Sequence, residues 1–325
     1  MEPTGKRAGF TLIELLVVLA IMAVLLGLLL AAVQRARMSA DRITCAANLR
    51  QIVTALHTYH DDWHAFPPGV IPGDSTKGPG VNGPYTYWSW MARLMPYYEQ
   101  VSLYQEADAW ARTPTNPDQL RWWPWGAFWQ TPPTPPNPAL NIPMKLWQCP
   151  ADPRVGGTAL EGSTFDPNAH PVNVAFTSYL GVAGTAGDYL GPRDGVLNWG
   201  FACRMEDITD GKSQTLIVGE RPPSPDLEFG WWFAGAGYDG SGDGDVILGA
   251  IETRYAAALG CPASKAGFQG GTITDRCDQV HFWSLHGSGA HFVFADGAVR
   301  FLDYSAAAVL PALATRNGGE VVGDF

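Results

Sequence analysis

The sequence predicts an α+β fold: a long N-terminal α-helix packed on a globular domain with a mostly antiparallel β-sheet. Three observations predict it. From Phe10 to Val33 the only ionisable side chain is Glu14. From Leu28 to Ala65 no proline or glycine interrupts the chain. From Leu146 onward, short β-like runs alternate with Gly, Asp and Pro clusters, the pattern of an antiparallel sheet.

The apolar run comes first. At about 1.5 Å rise per residue, a helix from Phe10 to Val33 spans roughly 35 Å, enough to cross a hydrocarbon core. Lys6 and Arg7 ahead of it hold the short N-terminal end in the cytoplasm by the positive-inside rule, so the bulk of the chain lies across the membrane. A secretory signal peptide fits poorly. Its apolar region is about 7–15 residues long and is cut behind that region. Here the run is longer, and the small residue, Gly9, lies in front. Glu14 is the informative residue. A carboxylate inside a spanning helix costs several kcal/mol unless it is paired or near the interface. It therefore needs a partner.

Gly9-Phe10-Thr11-Leu12-Ile13-Glu14, followed by Leu15-Leu16-Val17-Val18, resembles the N-terminus of a type IV prepilin or type II secretion pseudopilin. The resemblance implies a pilin-like fold. It implies that a prepilin peptidase cuts between Gly9 and Phe10 and methylates the new Phe10 amine. It also implies that Glu14 pairs with the Phe10 ammonium of a neighbouring subunit, each charge satisfying the other in a dry helix bundle. The implied partners are that peptidase, other pilin or pseudopilin subunits, and an inner-membrane assembly platform. The implied location is a single pass through the inner membrane, N-terminus in the cytoplasm, with the globular domain periplasmic, or extracellular after assembly. The expected organisation is a leader at 1–9, a transmembrane or filament-core helix at 10–33, a second helical half at 34–62 packed on the globular domain, and a β-rich domain at 63–325.

In the second helical half, Leu49, Ile52, Val53, Leu56, Tyr59 and Trp63 follow the i, i+3, i+4, i+7 pattern. His57, His60 and His64 share one face and could hold a metal, although hydrogen-bonded or exposed histidines are the default. Phe66-Pro67-Pro68-Gly69 ends the helix. Ser89 to Gln100 reads as a short helix or turn. Residues 113–143 carry nine prolines and four tryptophans, Trp122, Trp123, Trp125 and Trp129. This is an irregular segment, and its tryptophans either pack back on the domain or form an exposed binding surface. Strands are expected at Asn173–Phe176, Thr215–Val218 and Phe229–Phe233. Asp296-Gly297 reads as a two-residue hairpin turn. It would place Phe292 opposite Phe301, with Phe292, Phe294, Val299 and Phe301 on the core face.

His286, Asp296 and Gly297 are similar to the His-nine residues-Asp-Gly motif of a family of prepilin-like proteins with no established enzymatic activity. Further blocks carry the same resemblance: Cys45 to Asp61, Phe66 to Gly69, Trp90 to Gln100, Cys149-Pro150-Ala151-Asp152, Thr177-Ser178-Tyr179, Asp194-Gly195-Val196 and Asp207 to Glu220. Residues 110–143 lie outside these blocks and look like an insertion.

The net charge of −10 argues against nucleic acid, which needs basic patches, and suits divalent cations. Five cysteines show no C-x-x-C pair and no Cys/His zinc spacing. Cys261 and Cys277 are the nearest pair for a disulfide in an oxidising compartment. Asp239, Ser241, Asp243 and Asp245, with Gly244 sixth, resemble the first half of a calcium loop. The twelfth position is Ala250, so Glu252 or Glu220 would have to supply the missing carboxylate. No G-x-S-x-G elbow, Walker loop or dinucleotide fingerprint occurs, so no enzyme is expected. The expected function is a structural pilin-like subunit of a type II secretion-like or type IV pilus-like filament. The alternative is a surface filament or membrane-tethered binding protein that recognises a polysaccharide or other polymer.

Overall fold

The computed structural model describes residues 11–71, 85–112, 136–154, 156–161, 172–320 and 322–323. The chain divides into two compact units, Met1–Ile43 and Thr44–Phe325. Helix α1, Leu12–Trp63, contributes to both.

In the first unit the described residues are almost entirely helical. Leu, Ala and Met are strong helix formers, and no proline interrupts them. Every large apolar side chain from Leu12 to Val33 is exposed. In water such a surface is untenable, so this stretch requires an apolar partner.

In the second unit, α1 buries Cys45, Leu49, Ile52, Val53 and Leu56, at i, i+4, i+7, i+8 and i+11. The expected stripe therefore begins one turn earlier, at Cys45, and it stops short of Trp63, which is exposed where the helix runs past the core. The helix ends where His64 takes a left-handed φ of 56°, just before Pro67-Pro68. Two short helices follow the first connection: α2, Trp90–Arg93, capped by the Ser89 hydroxyl, and α3, Val101–Arg112.

The strands are β1 (Thr158–Glu161), β2 (Val172–Ala175), β3 (Tyr179–Val182), β4 (Leu197–Asn198), β5 (Phe201–Ala202), β6 (Leu216–Glu220), β7 (Ile247–Leu248), β8 (Gly289–Phe294) and β9 (Val299–Asp303). Five of them form one sheet in the order β7-β3-β6-β8-β9. Only the β3–β7 pair is parallel. Both faces are covered, which is why β6 and β8 read as continuous apolar runs. One face sends Tyr179, Ile217 and Val293 into a core shared with Leu49, Ile52 and Leu56 of α1 and with Trp90 and Trp147. The other sends Leu180, Leu216, Phe292 and Phe294 against Tyr255 of α4 (Thr253–Ala258) and Leu310 and Leu313 of α5 (Leu310–Ala314). The fold is α+β and pilin-like, with the long helix packed on a mostly antiparallel sheet.

Two expectations are corrected. The β8–β9 turn is longer than two residues. Phe294 N donates to Ala298 O, Gly297 N donates to Phe294 O, and Gly297 has a φ of 88°. This is a three-residue turn with a bulged glycine. The extra residue slips the register by one, so Phe292 faces Arg300 and Val293 faces Val299. Arg300 then lies 4.4 Å over the Phe294 ring, and Val299 packs in the helix-side core. The second correction concerns Phe229–Phe233, which is not a strand. Trp231 bridges to Phe176, while nearby Ala234 bridges to Trp88. Gly230, with a φ of 102°, breaks the extended run.

The helix-side core should dominate stability. Leu56 is fully buried. Leu56→Ala is expected to cost about 2–5 kcal/mol through lost transfer energy and a residual cavity. The exposed control Arg50→Ala should stay within about 0.5 kcal/mol. Urea unfolding of the detergent-solubilised chain, followed by tryptophan fluorescence, measures both.

Candidate functional site

Two places in the molecule carry chemistry. The first is the start of α1. Gly9 and Phe10 lie outside the described residues. The Thr11 hydroxyl faces the Glu14 N–H at 3.3 Å, while a Glu14 carboxylate oxygen accepts from the Thr11 N–H at 2.8 Å and from its hydroxyl at 2.9 Å. This reciprocal pair is a capping box. Within one chain, then, Glu14 has a local partner that the apolar run did not reveal.

The second place gathers four distant residues. Cys45 projects from α1 into the second unit. Cys149 follows a short 3-10 turn, Lys145–Trp147, and its N–H donates to the Ser178 hydroxyl at 3.0 Å. Asn48, one turn beyond Cys45, donates to Gln148 O at 3.1 Å and so ties this loop to the helix. Glu220 ends β6 opposite Tyr179 of β3. His286 sits in the turn before β8, where its N–H donates to the Ser284 hydroxyl at 3.1 Å. One ligand atom from each of these four lies within 4.8 Å of all the others. Among the described residues, no other group of Cys, His and acidic side chains does this.

The distances are short and the surroundings dry. The two sulfurs are 2.6 Å apart. His286 Nε2 is 3.5 Å from Cys149 Sγ and 3.4 Å from Glu220 Oε1. The His286 and Glu220 side chains are each only 2% exposed. His291 of β8 holds the other carboxylate oxygen: its backbone N–H donates to Glu220 Oε2 at 2.7 Å, and its Nδ1 lies 3.2 Å from the same atom. Burial alone would push Glu220 up, yet the facing His286 imidazole and the hydrogen bonds from His291 outweigh it and hold the carboxyl down at about 2. Burial likewise opposes charge on His286, but its close approach to Cys149 and to the Glu220 carboxylate raises it to about 10. The hydrogen bond from Cys45 draws Cys149 down to about 7, and the same contact raises Cys45. Two thiols, an imidazole and a carboxylate in a dry pocket can ligate a borderline cation or close a cystine.

The three parts of the His-nine residues-Asp-Gly motif do not meet. His286 joins the sulfur cluster before β8 begins. Asp296 and Gly297 form the turn after β8 ends, where Asp296 Oδ1 accepts from Ala298 N at 2.9 Å. Ser284 Oγ donates to Gly289 O at 2.6 Å, so it serves the same turn as His286. The three helix histidines do not converge either. His60 Nε2 accepts from Met205 N at 3.3 Å, and Gly297 has its α-carbon side turned toward His57.

In the acidic loop, Asp239 accepts from Ser241 N, Ser241 Oγ and Tyr189 N. Asp245 accepts from Gly230 N and Gly237 N. Both are therefore occupied by local donors. Asp243 is fully buried and neither of its oxygens has a hydrogen-bond partner. Glu252 supplies the nearby carboxylate. Its Oε1 accepts from Gly187 N and Gly249 N, while its Oε2 has no partner. Glu220 belongs to the sulfur cluster instead. Cys261 and Cys277 are joined by a disulfide with a Cα–Cα distance of 5.6 Å. The four tryptophans of the Pro-rich segment lie outside the described residues. The end of that segment packs on the domain, where Asn137 donates to Ala107 O and Trp232 donates to Ile142 O.

Sequence spacing did not reveal the cluster, because Cys45 and Cys149 are 104 residues apart and Cys149 and His286 are 137 apart. The available signal was indirect: each of the four falls in one of the blocks that carry the family resemblance.

Comparison with known families agrees with this division. Residues 4–30 match the prokaryotic N-terminal methylation motif, and residues 34–308 match the family described as "Protein of unknown function (DUF1559)". No curated protein and no solved structure matches the chain. The first match is to a structural, pilin-type motif rather than to an enzyme, and it implies processing by a prepilin peptidase. The chain is a type IV pilin-like or pseudopilin precursor by its N-terminus, and it belongs to the DUF1559 family across most of its length.

Proposed function

We propose that the mature protein is a structural subunit of a type II secretion-like or type IV pilus-like filament. The observation that carries this reading is the apolar surface of α1 from Leu12 to Val33. All of its large apolar side chains are exposed. A bilayer covers such a surface before assembly, and neighbouring helices cover it afterwards. Lys6 and Arg7 orient the leader toward the cytoplasm, and the globular domain is carried across the membrane. An inner-membrane platform then draws subunits into the growing bundle. The protein does no covalent chemistry of its own. Its work is mechanical, through extension of the filament. The test is crosslinking in cells. Ala20→Cys is expected to give a disulfide-linked dimer on oxidation in cells with an active prepilin peptidase, since each thiol joins one neighbour. Monomer alone, from a processed and membrane-inserted chain, would leave only a tethered protein. The polymer-binding alternative predicts retention on a glycan column that is lost when residues 113–135 are deleted.

A separable reading, calcium binding, is favoured by the unpaired oxygens of Asp243 and Glu252. Two buried carboxylates facing each other need a shared proton or a cation. Asp239, Ser241 and Asp245 shape the loop around them. Millimolar calcium is expected to raise the melting temperature of the full chain, with about 2.7 kcal/mol of added stability at a hundredfold excess over Kd. Asp243→Asn should remove that response. Identical melting curves with calcium and with chelator would reduce the loop to a turn.

A further inference from the structure

We propose that Cys45, Cys149, His286 and Glu220 form a closed binding site for one borderline transition-metal dication, zinc first among them. This goes beyond the filament reading and does not depend on it.

The four donors come from α1, a loop, the end of β6 and the turn before β8, yet one atom of each lies within 4.8 Å of the rest. Around a tetrahedral zinc, with bonds of about 2.0–2.3 Å, donor atoms are separated by roughly 3.2–3.8 Å. The separations of His286 Nε2 from Cys149 Sγ, 3.5 Å, and from Glu220 Oε1, 3.4 Å, already fall in that range, and no pair in the cluster exceeds 4.8 Å.

The buried acceptors of the cluster outnumber the hydrogen-bond donors around them. Glu220 Oε1 is buried and has no hydrogen-bond partner. His286 Nε2 is its nearest polar neighbour but stands 3.4 Å away, shared with Cys149 Sγ at 3.5 Å. Neither contact is a good bond. A single cation between them would satisfy the carboxylate oxygen, the imidazole nitrogen and both sulfurs together.

His291 occupies Glu220 Oε2 through its N–H and its ring, which leaves Oε1 as the free ligand. Metal-ligating carboxylates are commonly oriented in this way. Asn48 and Ser178 pin the Cys149 loop from two sides.

The sulfur separation of 2.6 Å lies between a disulfide, about 2.05 Å, and two unbonded sulfurs. A cystine would account for the two sulfurs alone. It would leave Glu220 Oε1 with only the long 3.4 Å contact to His286 Nε2. A shared ion spreads the sulfurs to roughly 3.8 Å and uses all four ligands. Two thiolates with an imidazole select zinc-like ions over magnesium or calcium. With every ligand from the protein and the side chains enclosed, no position is left for substrate, so the site is structural. It clamps α1 to the sheet and to the turn that opens β8.

The test uses the full chain purified in detergent without chelator or reductant. Elemental analysis should find about one zinc per chain. Titration in denaturant should find three free thiols: Cys45, Cys149 and Cys203. Cobalt exchanged into the site should give a thiolate charge-transfer band together with tetrahedral visible bands. Glu220→Gln keeps the shape of the side chain, and His286→Gln keeps a polar side chain of similar reach. They should lower zinc affinity at least about 100-fold and shift the cobalt spectrum. Cys203→Ser should change neither. Two outcomes overturn the proposal: a folded, metal-free chain with one titratable thiol, which makes the pair a cystine, or three thiols with no zinc uptake and no cobalt bands.

Discussion

Mass spectrometry of the mature chain is expected to read Phe10, with a methylated amine, as its first residue. Lys6-Arg7-Ala8-Gly9 precedes the apolar run, and residues 4–30 match the N-terminal methylation motif. A peptidase working at the membrane surface must bring its groups against the bond between Gly9 and Phe10. Gly9 has no β-carbon, so the backbone can be approached closely and can take any local conformation. Gly9→Val adds a branched side chain beside the scissile bond and restricts that backbone. It is expected to leave essentially the whole population as precursor, with residues 1–9 still attached. Insertion into the membrane should be unchanged, because the apolar run is untouched. Assembly should fail, because an uncut Phe10 has an amide in place of an ammonium. Normal processing of Gly9→Val, or a mature chain that still begins at Met1 in cells with an active peptidase, would rule this maturation out.

Glu14→Leu is expected to insert and to be cut normally, yet to assemble poorly. The substitution makes the helix more apolar, which favours insertion. In a filament it leaves the neighbour's Phe10 ammonium buried without a partner, a loss of about 3–5 kcal/mol per contact when fully desolvated. The capping box complicates this experiment, because Glu14 also accepts two hydrogen bonds from Thr11. Losing a cap costs only about 1 kcal/mol. Glu14→Gln separates the two roles. It retains an acceptor for Thr11 but removes the charge. If pairing between subunits is the mechanism, Glu14→Gln should assemble nearly as poorly as Glu14→Leu. If only helix capping matters, Glu14→Gln should behave like wild type. Oxidative crosslinking of the helices, scored beside Phe10 processing, reads both.

Much of the fold was legible in the sequence because its signals are local. An uninterrupted apolar run is a helix wherever water is absent. The stripe at Leu49, Ile52, Val53 and Leu56 declares its buried face through the 3.6-residue period. The Gly9 to Glu14 motif is contiguous, so it carries its meaning without any fold. The β8–β9 register was not legible to the same degree. Asp296-Gly297 is compatible with a two-residue turn and with a three-residue turn plus bulge, and the choice depends on which face of β9 the rest of the core will accept. Phe229–Phe233 misled for a related reason: aromatic residues favour strands, but here the consecutive Trp232 and Phe233 are both fully buried in the helix-side core, which the alternation of a strand would not give.

What the sequence by itself determined is therefore the anchoring helix, its maturation motif and the α+β class, each written in neighbouring residues. Only the tertiary structure decided what His286 lies against. Its partners Cys45, Cys149 and Glu220 stand on a helix, a loop and a strand end, and no spacing rule links them. The packing of α1 on the sheet brings them together. Asp296 and Gly297, from the same short motif, are sent to the other end of β8 because an extended strand separates its ends.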